Sequence, residues 1–148
     1  MEQGMKCWVF DMDGTLADSS GRAHHLEGKK NWDAWYAELG NDPVNKDVAT
    51  FADLAKLLGI GVVICTGRGR EYEDLTREWL EKYDIKYNDL YMRPAKDYRD
   101  DTVIKRELLA QMRSVGWEPL LVFEDRSRVV KMWREEGIRC FQVAEGDF

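Results

Sequence analysis

The sequence predicts an α/β fold: a Rossmann-like parallel sheet with helices on both faces and a small insertion after the first strand. Three observations predict it. Short apolar runs recur along the chain and are continuous rather than alternating, which fits strands buried on both faces. Stretches of helical periodicity separate them, so strand and helix alternate and the crossovers should be right-handed. Each run also ends in polar residues, and ligands in such folds bind outside the carboxyl ends of the strands.

Cys7-Trp8-Val9-Phe10 is the first strand. Residues 17–45 fit the alternation poorly: they hold both histidines, Trp32, Trp35, Gly21, Gly28 and Pro43, with one helix expected around 32–39. They read as a small cap-like insertion over the mouth of a site. Residues 48–58 repeat apolar positions at helical spacing and stop at Gly59, a fitting C-terminal residue. Gly61-Val62-Val63-Ile64-Cys65 is the second strand, followed by a helix over 71–83. A helix over 102–115 opens behind Asp100 and Asp101 and closes before Gly116. Pro119-Leu120-Leu121-Val122-Phe123 is a further strand, residues 127–136 a helix ended by Gly137, and Arg139-Cys140-Phe141-Gln142-Val143 a weaker last strand.

A length of 148 residues with 44% hydrophobic content suits one domain, 1–148, around one core. The formal net charge of -6 argues against a broad electrostatic grip on duplex nucleic acid, which needs many cations facing phosphates, and leaves room for a short, locally basic groove. The polar start from Met1 to Lys6 does not read as a leader, and no apolar run approaches a membrane span. Cys7, Cys65 and Cys140 sit in apolar stretches without zinc-ligand spacing, which points to reduced, buried thiols and a cytoplasmic home.

Three runs end in reactive side chains. The first ends in Asp11-Met12-Asp13-Gly14-Thr15, where two carboxylates at alternate positions can face one cavity and Gly14 permits a sharp turn. The second ends in Thr66-Gly67-Arg68, a hydroxyl and a backbone N–H suited to a phosphate oxygen. Pro119–Phe123 leads into Glu124-Asp125, a second acidic pair. Two acidic pairs at one sheet edge repel each other unless a cation intervenes, and hard oxygen ligands suit Mg²⁺. Lys105 can reach the same edge as a point positive charge.

These residues resemble the motifs of the haloacid dehalogenase superfamily of phosphatases, in the family's order. Asp11-Met12-Asp13-Gly14-Thr15 is similar to its first motif, Thr66 to its second, Lys105 to its third and Glu124-Asp125 to its fourth. The stretches Arg99-Asp100-Asp101, Val129-Val130-Lys131-Met132-Trp133-Arg134 and 140–148 further resemble the phosphatase domain of phage polynucleotide kinases, end-healing enzymes. Two positions depart from that pattern: Glu124 stands where Asp is usual, and Thr66 where the phage enzymes have Ser. A kinase half is not expected, because no Gly-x-x-x-x-Gly-Lys-[Ser/Thr] loop exists in this sequence.

The resemblance implies that Asp11 attacks phosphorus, that Asp13 serves as general acid and base, and that Thr66 and Lys105 hold the phosphoryl oxygens. It implies Mg²⁺ held by Asp11, the carbonyl of Asp13, and Asp125, with Glu124 orienting water at the ion. Substrate contacts fall to Thr15, Gly67, Arg68, Arg22, Arg93 and Arg99. The substrate implied is the 3′-phosphate of a DNA or RNA end, with a separate kinase or ligase as possible partners and no membrane.

Several residues admit a plainer use. Arg68 positions phosphate or pairs with an acid, and the mixed-charge loop of Arg93, Lys96, Asp97 and Arg99 binds substrate or is simply solvated. His24 and His25 are expected in surface or cap packing, and Trp32 and Trp35 in the core. The competing functions are a phosphatase of free nucleotides or other small esters and, in another class, a receiver-like phosphoacceptor module. Motif order argues against the receiver, since the second acidic pair follows Lys105 and Asp11 lies on the first strand.

Overall fold

In the computed structural model, which describes residues 4–148, five strands pair in parallel around a central first strand. They are β1 (Met5–Phe10), β2 (Gly61–Gly69), β3 (Asp89–Arg93), β4 (Trp117–Glu124) and β5 (Arg139–Gln142), in the order β3-β2-β1-β4-β5. Residues 1–3, part of the polar start, lie outside the described residues. The strands are added to one side of β1 up to β3 and to the other side from β4, so the crevice at its carboxyl end, between β2 and β4, is where such a sheet opens to a ligand.

Successive strand residues face opposite sides, and the core divides accordingly. Cys7, Val9, Val63, Cys65, Val122 and Cys140 pack under α4 (Asp101–Val115) and α5 (Ser127–Glu135). Phe10, Val62, Ile64, Leu90 and Phe123 pack on the other face, under α2 (Lys46–Leu57) and α3 (Glu73–Lys82). The three cysteines are free and buried, and burial pushes each thiol up to about 12, so all are inert packing groups. No helix among the described residues is long and apolar enough to cross a membrane.

Helix ends follow local chemistry. Asp100 caps α4 by accepting from Thr102 N, and Gly116 closes it at φ 111°, a left-handed conformation that disfavours a side chain. The helix expected over 71–83 starts as a 3₁₀ turn, Arg70–Tyr72, before α3.

Two expectations are corrected. Arg93, expected in a loop, ends the edge strand β3; its apolar run is only Leu90-Tyr91-Met92, too short to stand out. Trp32 and Trp35, expected in the core, lie on α1 (Trp32–Ala37), of which no residue is buried. That helix packs on the 3₁₀ segment Ser20–Leu26 rather than on a sheet face, so the core never reaches it.

The segment 17–45 leaves and rejoins the fold at adjacent points. Asp18 N donates to Pro43 O at 2.8 Å and Asn45 N to Leu16 O at 2.8 Å, while Asn45 Nδ2 reaches Thr15 O at 2.8 Å. This clasp fixes the base of the insertion directly behind the first motif.

Candidate active site

Asp11 is the first residue beyond β1, and its N–H donates to Phe123 O at 3.1 Å, which continues the sheet by one bond. The chain then turns through Gly14 at φ 81°. A side chain there would also place its Cβ 2.1 Å from Asp125 Oδ2, so only glycine lets the first motif lie against the acidic pair of β4.

Lys105 reaches the group from the first turns of α4. Its Nζ lies 2.9 Å from Asp11 Oδ1 and 2.6 Å from Glu124 Oε1, all three side chains buried. Glu124 Oε2 accepts from the N–H groups of Asp125 at 3.2 Å and Arg126 at 3.4 Å. Thr15 Oγ1 bridges Asp11 Oδ2 at 3.2 Å and Asp125 Oδ1 at 3.3 Å. Ligand oxygens of Asp11, Glu124 and Asp125 lie within 4.8 Å of one another.

Three buried carboxylates and one lysine are electrostatically unbalanced. Burial and then the charge of Glu124 push Asp11 up to about 8, against the pull of Lys105. Burial and the charge of Asp11 push Asp125 up to about 7. Lys105 is held well above its usual range, because the carboxylates outweigh its burial. An all-oxygen set short of positive charge fits a hard divalent cation of the Mg²⁺ class.

A stability prediction follows. Above about pH 4 the unfolded chain has lost the protons that folded Asp11 and Asp125 keep until about 8 and about 7. The unfolded state then binds fewer protons, so stability falls as pH rises across that window. Chelator-treated protein should therefore melt at lower temperature at about pH 8.5 than at about pH 5.5, with Mg²⁺ restoring more at the higher value. A melting temperature that is flat or rising over that range contradicts the electrostatic picture.

Asp13 stands apart from this cluster. Arg68 donates Nε to its Oδ2 at 3.0 Å and an η nitrogen to its Oδ1 at 2.7 Å, and Arg22 donates to Oδ1 at 2.6 Å. Burial works against its charged form, but Arg68 and Arg22 outweigh it and hold the carboxyl below the usual range. Arg68 can point this way because the β2–β3 ladder skips Gly67 and itself, passing from Thr66↔Met92 to Gly69↔Arg93. Thr66 is fully buried and accepts from Arg68 N at 3.1 Å.

Asp42 supports this arrangement and carries no sequence signal beyond a turn-like acid before Pro43. It pairs with Arg22 through both oxygens, at 2.8 Å and 2.5 Å, while its carbonyl accepts from Trp79 Nε1 at 2.8 Å and Tyr83 Oη at 3.2 Å. Thr76 likewise accepts from Arg68 at 3.1 Å. The insertion and α3 thus hold both arginines on Asp13.

Arg93 and Arg99 are bonded within the loop that follows β3, beside Gly67. Arg93 donates to the carbonyls of Gly67, Asp97 and Arg99 and to the Asp101 carboxylate, tying the loop after β3 to α4. Arg99 is half-exposed and pairs with Asp97 and Glu107. The His24 and His25 rings lie 3.9 Å apart, and His25 Nε2 lies 3.1 Å from Glu38 Oε1 on the outer insertion. The C-terminal stretch braces the acidic pair: Gln142 Nε2 donates to Asp125 O at 3.0 Å, Ser127 N to Gly146 O at 2.8 Å, and Arg126 Nε to Phe148 O at 2.8 Å.

Known proteins resemble this chain. The family model for the polynucleotide kinase PNKP phosphatase domain matches residues 5–148. A relative from Autographa californica nuclear polyhedrosis virus carries the name bifunctional polynucleotide kinase/RNA ligase. It is 34% identical over 129 residues, which are 86% of this chain and 17% of that protein. A solved chain of the Pnkp1/Rnl/Hen1 complex is 36% identical with a TM-score of 0.84, covering 100% of this chain and 49% of that one. The chain therefore spans half or less of these relatives. A class C acid phosphatase from Bacillus anthracis, 16% identical with a TM-score of 0.70 over 99% of this chain and 69% of its own, shares the fold. With a parallel α/β sheet, an acidic cluster at its carboxyl edge and a match over nearly every residue, the chain belongs to the polynucleotide kinase phosphatase-domain family of haloacid dehalogenase-type phosphatases.

Proposed function

We propose that the chain is a Mg²⁺-dependent phosphomonoesterase that removes 3′-phosphates from polynucleotide ends through an aspartyl-phosphate on Asp11. The observation that supports this most is Asp11 itself, a buried carboxylate at the carboxyl end of the central strand, set among Lys105, Thr15 and the Glu124–Asp125 pair.

In this reading one Asp11 oxygen attacks phosphorus and the ester oxygen leaves. Asp13 protonates that oxygen and afterwards takes a proton from the water that cleaves the acyl-phosphate. Its carboxylate rests in the base form under Arg68 and Arg22; an incoming phosphate competes for those arginines and raises its proton affinity, so that it takes a proton from solvent before the ester oxygen leaves. Lys105, Thr66 and the N–H of Gly67 hold phosphoryl oxygens, with Thr15 setting the angle of Asp11. Asp11, Asp125 and the carbonyl of Asp13 would hold Mg²⁺, with Glu124 beside it. Bound there, the ion would offset the charge between nucleophile and phosphate. Product release leaves a 3′-hydroxyl, the group a ligase joins, so a separate ligase and a kinase acting on the partner end belong to this proposal. Buried, reduced cysteines accord with a cytoplasmic setting.

The acidic pair should divide its work. Asp125 faces Asp11 through Thr15, whereas Glu124 is taken up by Lys105 and two N–H groups. Asp125→Asn is expected to raise the Mg²⁺ concentration for half-maximal rate by about 10-fold or more, and Glu124→Gln by less. Equal shifts in a metal titration would contradict the division.

Substrate choice is tested by phosphate release from a 3′-phosphoryl oligonucleotide, its 5′-phosphoryl isomer, mononucleotides and a sugar phosphate. The expected result is highest kcat/KM on the 3′-phosphoryl oligonucleotide. Preference for the 5′-isomer or the sugar phosphate would replace this proposal with the small-ester reading.

A further inference from the structure

α1 carries three aromatics in six residues, Trp32, Trp35 and Tyr36, yet buries none of them. Trp79 and Trp133, by contrast, are almost wholly enclosed. Trp32 is 46% exposed and Trp35, Tyr36 and Tyr72 are half-buried, so a connected set of rings reaches the surface, as at a site that takes a ligand.

The set is continuous from the active site outwards. Arg22, bonded to Asp13, lies over the Trp35 ring with its guanidinium 4.0 Å from the centroid. Trp35 meets Trp32 at 5.5 Å and Tyr36 at 4.9 Å, and Tyr36 stacks flat on Tyr72 at 4.3 Å with 8° between the planes. At the inner end, burial and the charge of Asp13 push the Tyr36 phenol up to about 12, which accords with its place at the rim of the site. At the outer end, Lys29, Lys30, Asn31, Trp32 and Asp33 line an open depression, two cations to one acid, with the Lys30 ammonium 5.9 Å from the Trp32 centroid.

Ring faces beside cations are what an unpaired strand requires: bases stack on the rings and phosphates meet the lysines, without sequence preference. A paired end keeps its bases stacked on one another and offers only the outer face of its last pair. A chain of net charge -6 must also draw its grip from stacking more than from charge. We propose that Trp32, Tyr36 and Tyr72, flanked by Lys29 and Lys30, form a stacking platform for the unpaired nucleotides that precede a terminal 3′-phosphate. This rests on the 3′-phosphatase reading and adds to it the form of the end: a single strand.

The test measures KM and kcat for a single-stranded series, 3′-phosphorylated mononucleotide, dinucleotide and hexanucleotide, and for the same end in a blunt duplex. Wild type, Trp32→Ala, Trp32→Phe and Tyr72→Ala are compared, with melting temperatures confirming the fold. KM is expected to fall on the order of ten-fold from mononucleotide to hexanucleotide and to be higher for the duplex. Trp32→Ala and Tyr72→Ala should lose most of that gain in KM, Trp32→Phe should keep it, and the hexanucleotide should quench tryptophan fluorescence less in Trp32→Ala. A KM independent of strand length, a duplex served as well as the single strand, or alanine variants with unchanged hexanucleotide KM would overturn the platform alone. No turnover of any 3′-phosphoryl substrate, with a 5′-phosphate or sugar phosphate cleaved, would overturn the underlying reading and the platform with it.

Discussion

Replacing Asp11 by asparagine is expected to lower kcat by at least about 10⁴-fold without unfolding the protein, because the amide removes the nucleophile while keeping its shape. The carbonyl oxygen of Asn can still accept from Lys105, which lies 2.9 Å from Asp11 Oδ1 in the native chain. Stability should not suffer either. Burial and Glu124 push the native carboxyl up to about 8, so its charged form is disfavoured in the fold, and a neutral amide relieves that repulsion. At about pH 8.5 without metal, the variant should melt no lower than the native protein. Steady-state rates beside thermal melts check both halves. Activity within about 100-fold of wild type would remove Asp11 from the chemistry.

The second large effect belongs to Lys105→Met. Methionine fills a similar volume but leaves Asp11 and Glu124 without their buried cation. Breaking a buried pair from one side costs about 3–5 kcal/mol, because the other partner stays buried and charged. The deficit should shrink as pH falls, since Asp11 and Asp125 then take up protons and the missing cation matters less. Denaturant unfolding at about pH 8.5 and about pH 5.5 measures this. Turnover should also drop by about 10³-fold, because Lys105 loses its place against the phosphoryl oxygens. A variant equally stable to wild type at high pH would show that Lys105 does not balance the cluster.

How much of this was legible depends on the range of each interaction. The strands around Val9, Val63 and Val122 announce themselves because burial on both faces demands continuous apolar runs. The edge strand β3 needs only three apolar residues and so passes for a loop. The motif series from Asp11 to Asp125 was readable because each acid, hydroxyl or cation lies near the carboxyl end of a strand or in the first turns of a helix. The support of Asp13 was not. Arg22, Asp42, Thr76 and Trp79 meet only after the insertion folds back on α3, and nothing in a turn-like Asp42 indicates its partners. Arg93 and Arg99 were legible as cations of a mixed-charge loop beside the site, but the carboxylates and carbonyls they bond come from packing that spacing does not encode. Trp32 misled in the opposite direction, since helical spacing of aromatics normally means core, and here the helix lies beyond it.

The central claim is that phosphorus passes through Asp11, and borohydride trapping during turnover tests it most directly. An aspartyl-phosphate is reduced by borohydride to homoserine, whereas a free carboxylate is not. Native protein turning over a 3′-phosphoryl oligonucleotide with Mg²⁺, quenched in borohydride and mapped by peptide mass, should carry homoserine at position 11, and none when substrate is omitted. Homoserine at Asp13 or Asp125, or at no carboxylate while phosphate is released, would contradict the account.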